Sequence, residues 1–201
     1  MPQLERRTVI LDGIRIESRA GEEDNQHIVG HAAMFDSLSE NLGGFREIIK
    51  PGAFARSIRE DDIRALFNHN PDLILGRNKS GTLILAEDDR GLAIEIDPPD
   101  TQAARDLMVS MARGDVSQMS FGFRVRAGGS SWDEDQNGDV IRTLTDVVLF
   151  DVSPVVYPAY PETDAAVREM RDWSSAHESA DRAAIEEELE RRARRLALAE
   201  L

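Results

Sequence analysis

The hexapeptide Gln118-Met119-Ser120-Phe121-Gly122-Phe123 carries one hydroxyl among apolar neighbours. Its large apolar residues alternate with Ser120, Gly122 and, one position after the hexapeptide, Arg124. A period of two is typical of a strand that is buried on one face. We therefore predict a strand whose apolar face lies in the core. The opposite face carries little bulk around Ser120. Gly122 has no side chain, so a backbone or a ligand can come close there.

The composition narrows the class of protein. A chain of 201 residues is long enough for one domain and a tail. The net charge of −14 argues against a general nucleic-acid binder, and the absence of cysteine excludes a thiolate zinc site and a cysteine nucleophile. No apolar run approaches the roughly 18 residues of a membrane span, and residues 1–7 lack a signal-peptide core. We expect a cytoplasmic protein with neither nucleic acid nor membrane as a partner.

Most of the chain is predicted to be short strands separated by turns. A strand or hairpin is expected over Thr8–Glu17 around Asp12-Gly13, and an antiparallel meander over Ile63–Asp97. Thr101 is a plausible N-cap for a helix that Gly114 closes. After the Ser120 strand we expect a polar hairpin tip with a turn at Asn137-Gly138, then one returning strand over Val140–Val152. This pattern favours a β-barrel or a β-sandwich.

The composition changes abruptly beyond Pro161. We predict a domain over residues 1–165 and a charge-rich helical tail over 166–201, in which Ala180–Leu201 forms an amphipathic helix. Its apolar stripe consists of Ile185, Leu189, Ala193 and Leu196. Such a helix suits two roles equally well, either pairing with a partner helix or keeping the protein in solution.

Two residues are candidates for a nucleophile and its base. Ser120 lies on the small face of a rigid strand, which suits nucleophilic catalysis if a base is near; it can also be merely a small polar residue at a strand start. His69 follows an apolar strand in the turn Asn68-His69-Asn70-Pro71. Its imidazole suits proton transfer near neutral pH, although a turn histidine can also serve only in local hydrogen bonds.

Asp151 is the candidate for the group that orients the base. It lies in Val147–Val152, a run that is apolar on both faces, so a buried carboxylate there needs a hydrogen-bond donor. A histidine N–H is one such donor, and a carboxylate in that position is the third part of a catalytic triad. Asp146 is the fallback. The alternative for Asp151 is a carboxylate that caps the backbone at the strand end.

Two patterns resemble metal sites, but each lacks a residue that its metal requires. Asp133, Asp135 and Asn137 resemble the start of a calcium loop, but the position of the required Glu holds Leu144. His27 and His31 are four residues apart in a predicted strand, without the Glu of the zinc-protease helix. We expect no metal and no cofactor. A metal-dependent hydrolase built on these two histidines and His69 stays as a rival.

With His69, Ser120 and Asp151 in that order, the sequence resembles the prohead maturation proteases of tailed bacteriophages. The resemblance covers roughly Val29–Thr163, and no single block carries it. The matching blocks are residues 30–35 (GHAAMF), 49–54 (IKPGAF), 66–70 (LFNHN), 75–77 (LGR), 118–123 (QMSFGF) and 149–159 (LFDVSPVVYPA).

That family is similar to the herpesvirus assemblins, serine proteases on a closed β-barrel surrounded by helices. The resemblance therefore implies a mainly β, α+β fold with a closed antiparallel barrel, and a serine endopeptidase. By position, Ser120 is the nucleophile, His69 the general base and Asp151 the orienting acid, where assemblins use a histidine. The donors of the oxyanion hole are not assigned. The candidates are the backbone N–H groups near Phe121 and Gly122 and the side chains of Arg124 and Arg77.

The resemblance also implies substrates and a location. These are the scaffolding protein or the scaffold-like region of the major capsid protein, and the protease itself, inside the assembling prohead in the host cytoplasm. A homo-oligomer is expected, and activity is expected to depend on self-association or on concentration within the shell. The alternative is a catalytically silent capsid-assembly module that uses the same fold for binding.

Overall fold

The computed structural model describes residues 4–9, 14–18, 26–157 and 164–199. The chain divides into two compact units, Met1–Thr163 and Asp164–Leu201. The first unit contains twelve strands and two α-helices among its described residues, and the second contains one long helix.

The strands of the first unit are short. They are β1 (Glu5–Val9), β2 (Arg15–Ser18), β3 (Gln26–Met34), β4 (Arg46–Ile49), β5 (Arg64–Phe67), β6 (Asn70–Arg77), β7 (Leu83–Glu87), β8 (Gly91–Ile96), β9 (Gln118–Val125), β10 (Ser130–Glu134), β11 (Val140–Leu144) and β12 (Val147–Val155). The helices are α1 (Ala55–Glu60) and α2 (Gln102–Ala112), and a 3-10 turn covers Asn78–Ser80.

The described strands form three sheets. Their orders are β1-β9-β12-β5-β6, β2-β3-β8-β7 and β10-β11-β4. The mainly β, α+β class was predicted correctly, whereas the described strands do not join into the single closed antiparallel barrel that we expected. Two ladders, β12 with β5 and β11 with β4, are also parallel.

The predicted apolar face of the Ser120 strand is confirmed. Met119 is 1% exposed and Phe121 and Phe123 are fully buried in the core of the first unit. The rings of Phe121 and Phe123 lie 5.1 Å apart, and Phe54, just before α1, meets Phe121 edge-on at 5.6 Å. Burial of each such ring contributes about 1.5–3 kcal/mol, so these contacts fix β9 firmly in the sheet.

The predicted helix after the meander is also confirmed. Thr101 has an extended backbone, and its side chain accepts a hydrogen bond from the N–H of Ala104 at 3.3 Å, as an N-cap does. Ala104, Leu107 and Met111 form the buried stripe of α2.

Two local predictions were wrong. The predicted strand or hairpin over Thr8–Glu17 is instead two strands in different sheets, because β1 pairs with β9 and β2 pairs with β3. Its expected turn at Asp12-Gly13 lies outside the described residues. The returning strand over 140–152 breaks at Thr145 and Asp146, so that β11 and β12 belong to different sheets.

The second unit is the helix α3 (Asp164–Ala199), which begins well before the predicted helix at Ala180. Ile185 and Leu189 of the predicted stripe are 62% and 58% exposed. Salt bridges at a spacing of four residues, such as Arg191 with Glu187, support the charged surface. None of the described helices is long and apolar enough to cross a membrane.

Candidate active site

A two-residue turn carries His69. Phe67 at the end of β5 faces Asn70 at the start of β6, so Asn68 and His69 alone make the turn. Both have positive φ angles, 53° and 54°, as in a type I′ hairpin. The N–H of Asn68 donates to the carbonyl of Pro154 at 3.0 Å. This bond ties the turn to the end of β12 and fixes where the imidazole stands.

A β-bulge in β12 directs Asp151 to the face that carries Ser120. Leu149 lies opposite Phe123, but the next pair is Asp151 with Gly122, so that Phe150 is an extra residue. Directly opposed residues of an antiparallel pair share a face. Without the bulge, strict alternation would place Asp151 opposite Phe121 on the core face.

The structure brings His69, Ser120 and Asp151 together. His69 Nδ1 lies 2.5 Å from Asp151 Oδ1, and His69 Nε2 lies 2.7 Å from Ser120 Oγ. Since a carboxylate can only accept, Nδ1 carries the proton that it donates to Asp151. The ring is therefore held between an acceptor on one side and a hydroxyl on the other. This arrangement is able to activate a serine.

Ser153 is a further member of the site, and the sequence analysis missed it. Its Oγ donates to Asp151 Oδ1 at 2.8 Å, and its side chain is fully buried. A signal was available, because residues two apart on a strand share a face. The second hydrogen bond limits the rotation of the carboxylate toward His69.

Gly122 makes room for the Asp151 carboxylate. A Cβ added at Gly122 would lie 2.4 Å from Asp151 Oδ2, which is closer than any real contact of that kind. The space that the sequence predicted beside Ser120 is thus filled by the carboxylate of Asp151.

The site is shielded from solvent. The side chains of His69 and Asp151 are 6% and 9% exposed, and Ser120 is fully buried. Ser120 Oγ also lies 2.9 Å from the backbone oxygen of Arg7 in β1. Electrostatic interactions are stronger in such surroundings than in water.

Asp146 and Arg77 are each paired with an oppositely charged side chain. Asp146 Oδ1 is 3.2 Å from Arg126 Nε, so the structure brings Asp151, and not the fallback Asp146, to His69. Arg77 donates two hydrogen bonds to Asp62, at 2.7 and 2.6 Å. The Arg77 hydrogen bond, with help from nearby Arg64, lowers the pKa of Asp62 to about 2.

The other oxyanion candidates lie on β9 itself. Arg124 stacks its guanidinium on the ring of Phe150, the bulged residue, at 4.7 Å. Phe121 and Gly122 lie in the middle of a strand that is paired on both edges, with β1 and with β12. The ladder with β1 runs from Phe123 to Met119, so β1 flanks both residues.

The remaining histidines of the first unit are apart from this site. His31 Nε2 bonds Asp88 Oδ2 at 2.8 Å, and this bond lowers the pKa of Asp88 to about 2. His27 Nδ1 lies 3.6 Å from Glu95 Oε1. Within the described ranges, no three histidine or carboxylate side chains are grouped as metal ligands. The rival site of His27, His31 and His69 is therefore not assembled.

The segment that resembles the start of a calcium loop forms a hydrogen-bonded turn. The carboxylate of Asp135 accepts from the backbone N–H groups of Asn137 and Asp139, at 2.8 and 2.9 Å. The bond from Asp139 lowers the pKa of Asp135 most, and the bond from Asn137 lowers it further. The segment is the connection between β10 and β11, as the predicted Asn137-Gly138 turn required.

The sequence of this chain matches a known protein family. Residues 14–177, well over half of the chain, match the family described as Caudovirus prohead serine protease. The chain belongs to this family. The resemblance predicted from the sequence is thereby confirmed, and with it a serine protease of phage prohead assembly and maturation.

The prohead protease also has a solved structural neighbour. Its fold is similar to that of the capsid assembly protease of bacteriophage T4, with a TM-score of 0.52 and 12% sequence identity. The similarity covers 78% of this chain and 99% of the T4 chain. At this identity the likeness concerns the fold alone. No curated protein sequence matches this prohead protease.

Proposed function

We propose that this prohead protease cleaves peptide bonds through an acyl-enzyme on Ser120, with His69 as general base and Asp151 as the orienting acid. The observation that carries the proposal is the unbroken chain of contacts from Asp151 through the imidazole to Ser120, 2.5 and 2.7 Å long. With Nδ1 donating to the carboxylate, the neutral ring presents Nε2 as an acceptor for the hydroxyl proton.

The chemistry follows from these positions. His69 Nε2 takes the proton of Ser120 as Oγ attacks the substrate carbonyl carbon. The same proton then passes to the leaving amine as the C–N bond breaks. Water, activated by His69, releases the acyl group and restores the hydroxyl. Asp151 stabilises the imidazolium at each of these steps, and Ser153 holds Asp151 in place.

We propose that backbone N–H groups near Phe121 and Gly122 form the oxyanion hole. Since β9 is paired on both edges, an N–H here that bonds a neighbouring strand must be released before it can stabilise the charge that develops on the substrate oxygen. Arg77 is the weaker candidate because Asp62 already holds its guanidinium. Arg124 is on the same strand but stacks on Phe150.

The substrates that we propose are the scaffolding protein or the scaffold-like region of the major capsid protein, and the protease itself, inside the assembling prohead in the host cytoplasm. Family membership supports this assignment. We further propose that activity requires self-association. A dilution series that leaves the activity per molecule constant would contradict that requirement.

We propose residues 1–165 as the protease domain and 166–201 as a tail that pairs with a helix of scaffold or capsid subunits. The exposed side chains of Ile185 and Leu189 support this role. Changing both to Glu should keep the protease out of proheads while leaving the active site intact. Normal incorporation of the double variant would indicate that the tail only maintains solubility.

Co-expression with the capsid and scaffolding proteins of the same phage tests the function. Wild type, Ser120→Ala and the exposed control Ser117→Ala are compared by intact mass spectrometry. We expect the same cleavage products from wild type and Ser117→Ala, and none from Ser120→Ala. Products that persist in Ser120→Ala would remove Ser120 from the mechanism. No products from any variant would favour the silent capsid-assembly module.

A further inference from the structure

The strand β1 lies along the edge of the strand that carries the nucleophile. Residues Glu5–Val9 pair antiparallel with β9, and Thr8 stands directly opposite Ser120. Ser120 is fully buried, and its Oγ donates a hydrogen bond to the carbonyl oxygen of Arg7 at 2.9 Å. The contact comes from the backbone, so it depends on the position of β1 rather than on a particular side chain.

This contact opposes catalysis in two ways. The hydroxyl of Ser120 has a single proton, and the Arg7 carbonyl competes for it with Nε2 of His69 at 2.7 Å. In addition, a substrate carbonyl carbon has to come within about 3–3.5 Å of Oγ, which a fully buried hydroxyl does not allow. Something that covers Ser120 must move before a substrate reacts.

We propose that β1 is a built-in inhibitory strand, and that Ser120 becomes reactive only when β1 leaves the edge of β9. This inference rests on the proposed function. The vacated edge would present unpaired backbone N–H and C=O groups beside Ser120, the kind of edge to which an extended peptide adds as a strand. An extended segment of the substrate is the occupant that replaces β1.

The charges around β1 fit a strand that can detach. Glu5 and Arg7 of β1 are buried together with Glu47 of β4 and Arg142 of β11. Arg7 bonds Glu47 at 2.8 Å and Glu5 at 2.7 Å, and Arg142 bonds Glu5 at 2.8 Å. Burial works against the charge on Arg7, but Glu47 and Glu5 outweigh it and raise the pKa of the guanidinium. These contacts hold β1 in one register.

Detachment of β1 leaves none of these four buried charges without a partner of opposite sign. The departing strand takes Glu5 and Arg7 with it as a neutral pair. Glu47 and Arg142 remain behind, already 3.4 Å apart, as a second neutral pair. A buried charge without a partner is costly, so a cluster that divides into two neutral halves separates more easily than one that leaves a lone ion.

A disulfide that pins β1 to β9 tests the proposal directly. Val9 and Met119 are opposed in the ladder, and opposed residues have Cα atoms about 4.5–5.5 Å apart, within disulfide range. The chain has no cysteine, so Val9→Cys/Met119→Cys can form only this bridge within one molecule. Reactivity of Ser120 is followed with a fluorophosphonate, which bonds Oγ with loss of fluoride, by intact mass spectrometry.

We expect the oxidised variant to be labelled at least about tenfold more slowly than the same protein after reduction, because the open state is removed. Wild type without cysteine shows whether the reductant itself has any effect. Equal labelling of the two forms would overturn the inhibitory role of β1. It would leave the proposed function standing, since the co-expression experiment tests that separately.

A second variant loosens β1 without a disulfide. Glu5→Gln/Arg7→Met removes the pair that travels with the strand, and Glu47 and Arg142 keep each other. The matched control is Arg15→Met/Glu17→Gln, the same two residue types at the same spacing in β2, where both side chains are at least half exposed. We expect the first variant, and not the control, to label faster than wild type. A rate equal to or below that of wild type would contradict the proposal.

Discussion

Replacing Gly122 by alanine should disable the proposed triad by pushing Asp151 away from His69. The added Cβ would lie 2.4 Å from Asp151 Oδ2, and contacts below 3.0 Å do not occur, so the carboxylate must retreat by at least 0.6 Å. The 2.5 Å bond to His69 and the 2.8 Å bond from Ser153 are both made by Oδ1 of the same carboxylate, so we expect the forced movement of Oδ2 to tilt the group and weaken both bonds. Because misplacement of a catalytic group by 1 Å costs about 100-fold in rate, we expect kcat to fall about 10- to 100-fold.

The assay is the rate of Ser120 labelling together with cleavage of co-expressed substrate. The decisive comparison is a double-mutant cycle with Asp151→Ala. If Gly122→Ala acts only through the carboxylate, it should have little further effect once that carboxylate is gone. The control is Gly114→Ala, which lies at a positive φ of 82° with open space around it. It should lower stability without changing kcat.

Two results would contradict the proposed effect of Gly122→Ala on Asp151. One is a folded Gly122→Ala protein with wild-type kcat, which would mean that Asp151 need not stand against His69. The other is a loss of activity that adds fully to the loss in Asp151→Ala, which would mean that the alanine acts on Ser120 or on the backbone of β9 instead.

Three further predictions concern neighbouring groups. Ser153→Ala should slow labelling of Ser120 about tenfold, since a hydrogen bond to a charged group contributes about 1.5–3 kcal/mol, whereas Ser117→Ala should not; equal rates would remove Ser153 from the site. Arg142→Met leaves two buried glutamates with one arginine and should lower the free energy of unfolding in urea by about 3–5 kcal/mol, while the exposed Arg56→Met should change it little. Because the pKa of Asp88 is lowered to about 2, the stabilisation from its bond with His31 is complete above the usual carboxyl pKa of 3.8 and is lost as pH falls through about 2. An NMR titration of Asp88 should move toward 3.8 in His31→Ala, and an unchanged midpoint would contradict the pairing.

Local patterns in the sequence were sufficient for several elements. Alternation predicted the buried face of β9, and Thr101 predicted the start of α2, because both depend on residues close in the chain. The turn at Asn68-His69 was also recognisable, since Asn favours positive φ. These features placed Ser120 and His69 on the right kinds of element.

The arrangement of the sheets could not be predicted in the same way. Pairing of β1 with β9 joins residues more than a hundred positions apart, and no local pattern specifies it. The bulge at Phe150 is equally invisible, although it alone turns Asp151 from the core face to the face of Ser120. The composition around Asp151 predicted a buried carboxylate, but which face it occupies is a property of the pairing.

The order of strands in the five-stranded sheet has a consequence during translation. β12 lies between β9, which carries Ser120, and β5, whose turn carries His69, and it is the last of these strands to be synthesised. Ser120 and His69, 51 residues apart in sequence, therefore cannot be brought together until β12 has left the ribosome. A growing chain, or one that ends before Val147, lacks the strand that holds these two residues together, and we expect it to have no protease activity.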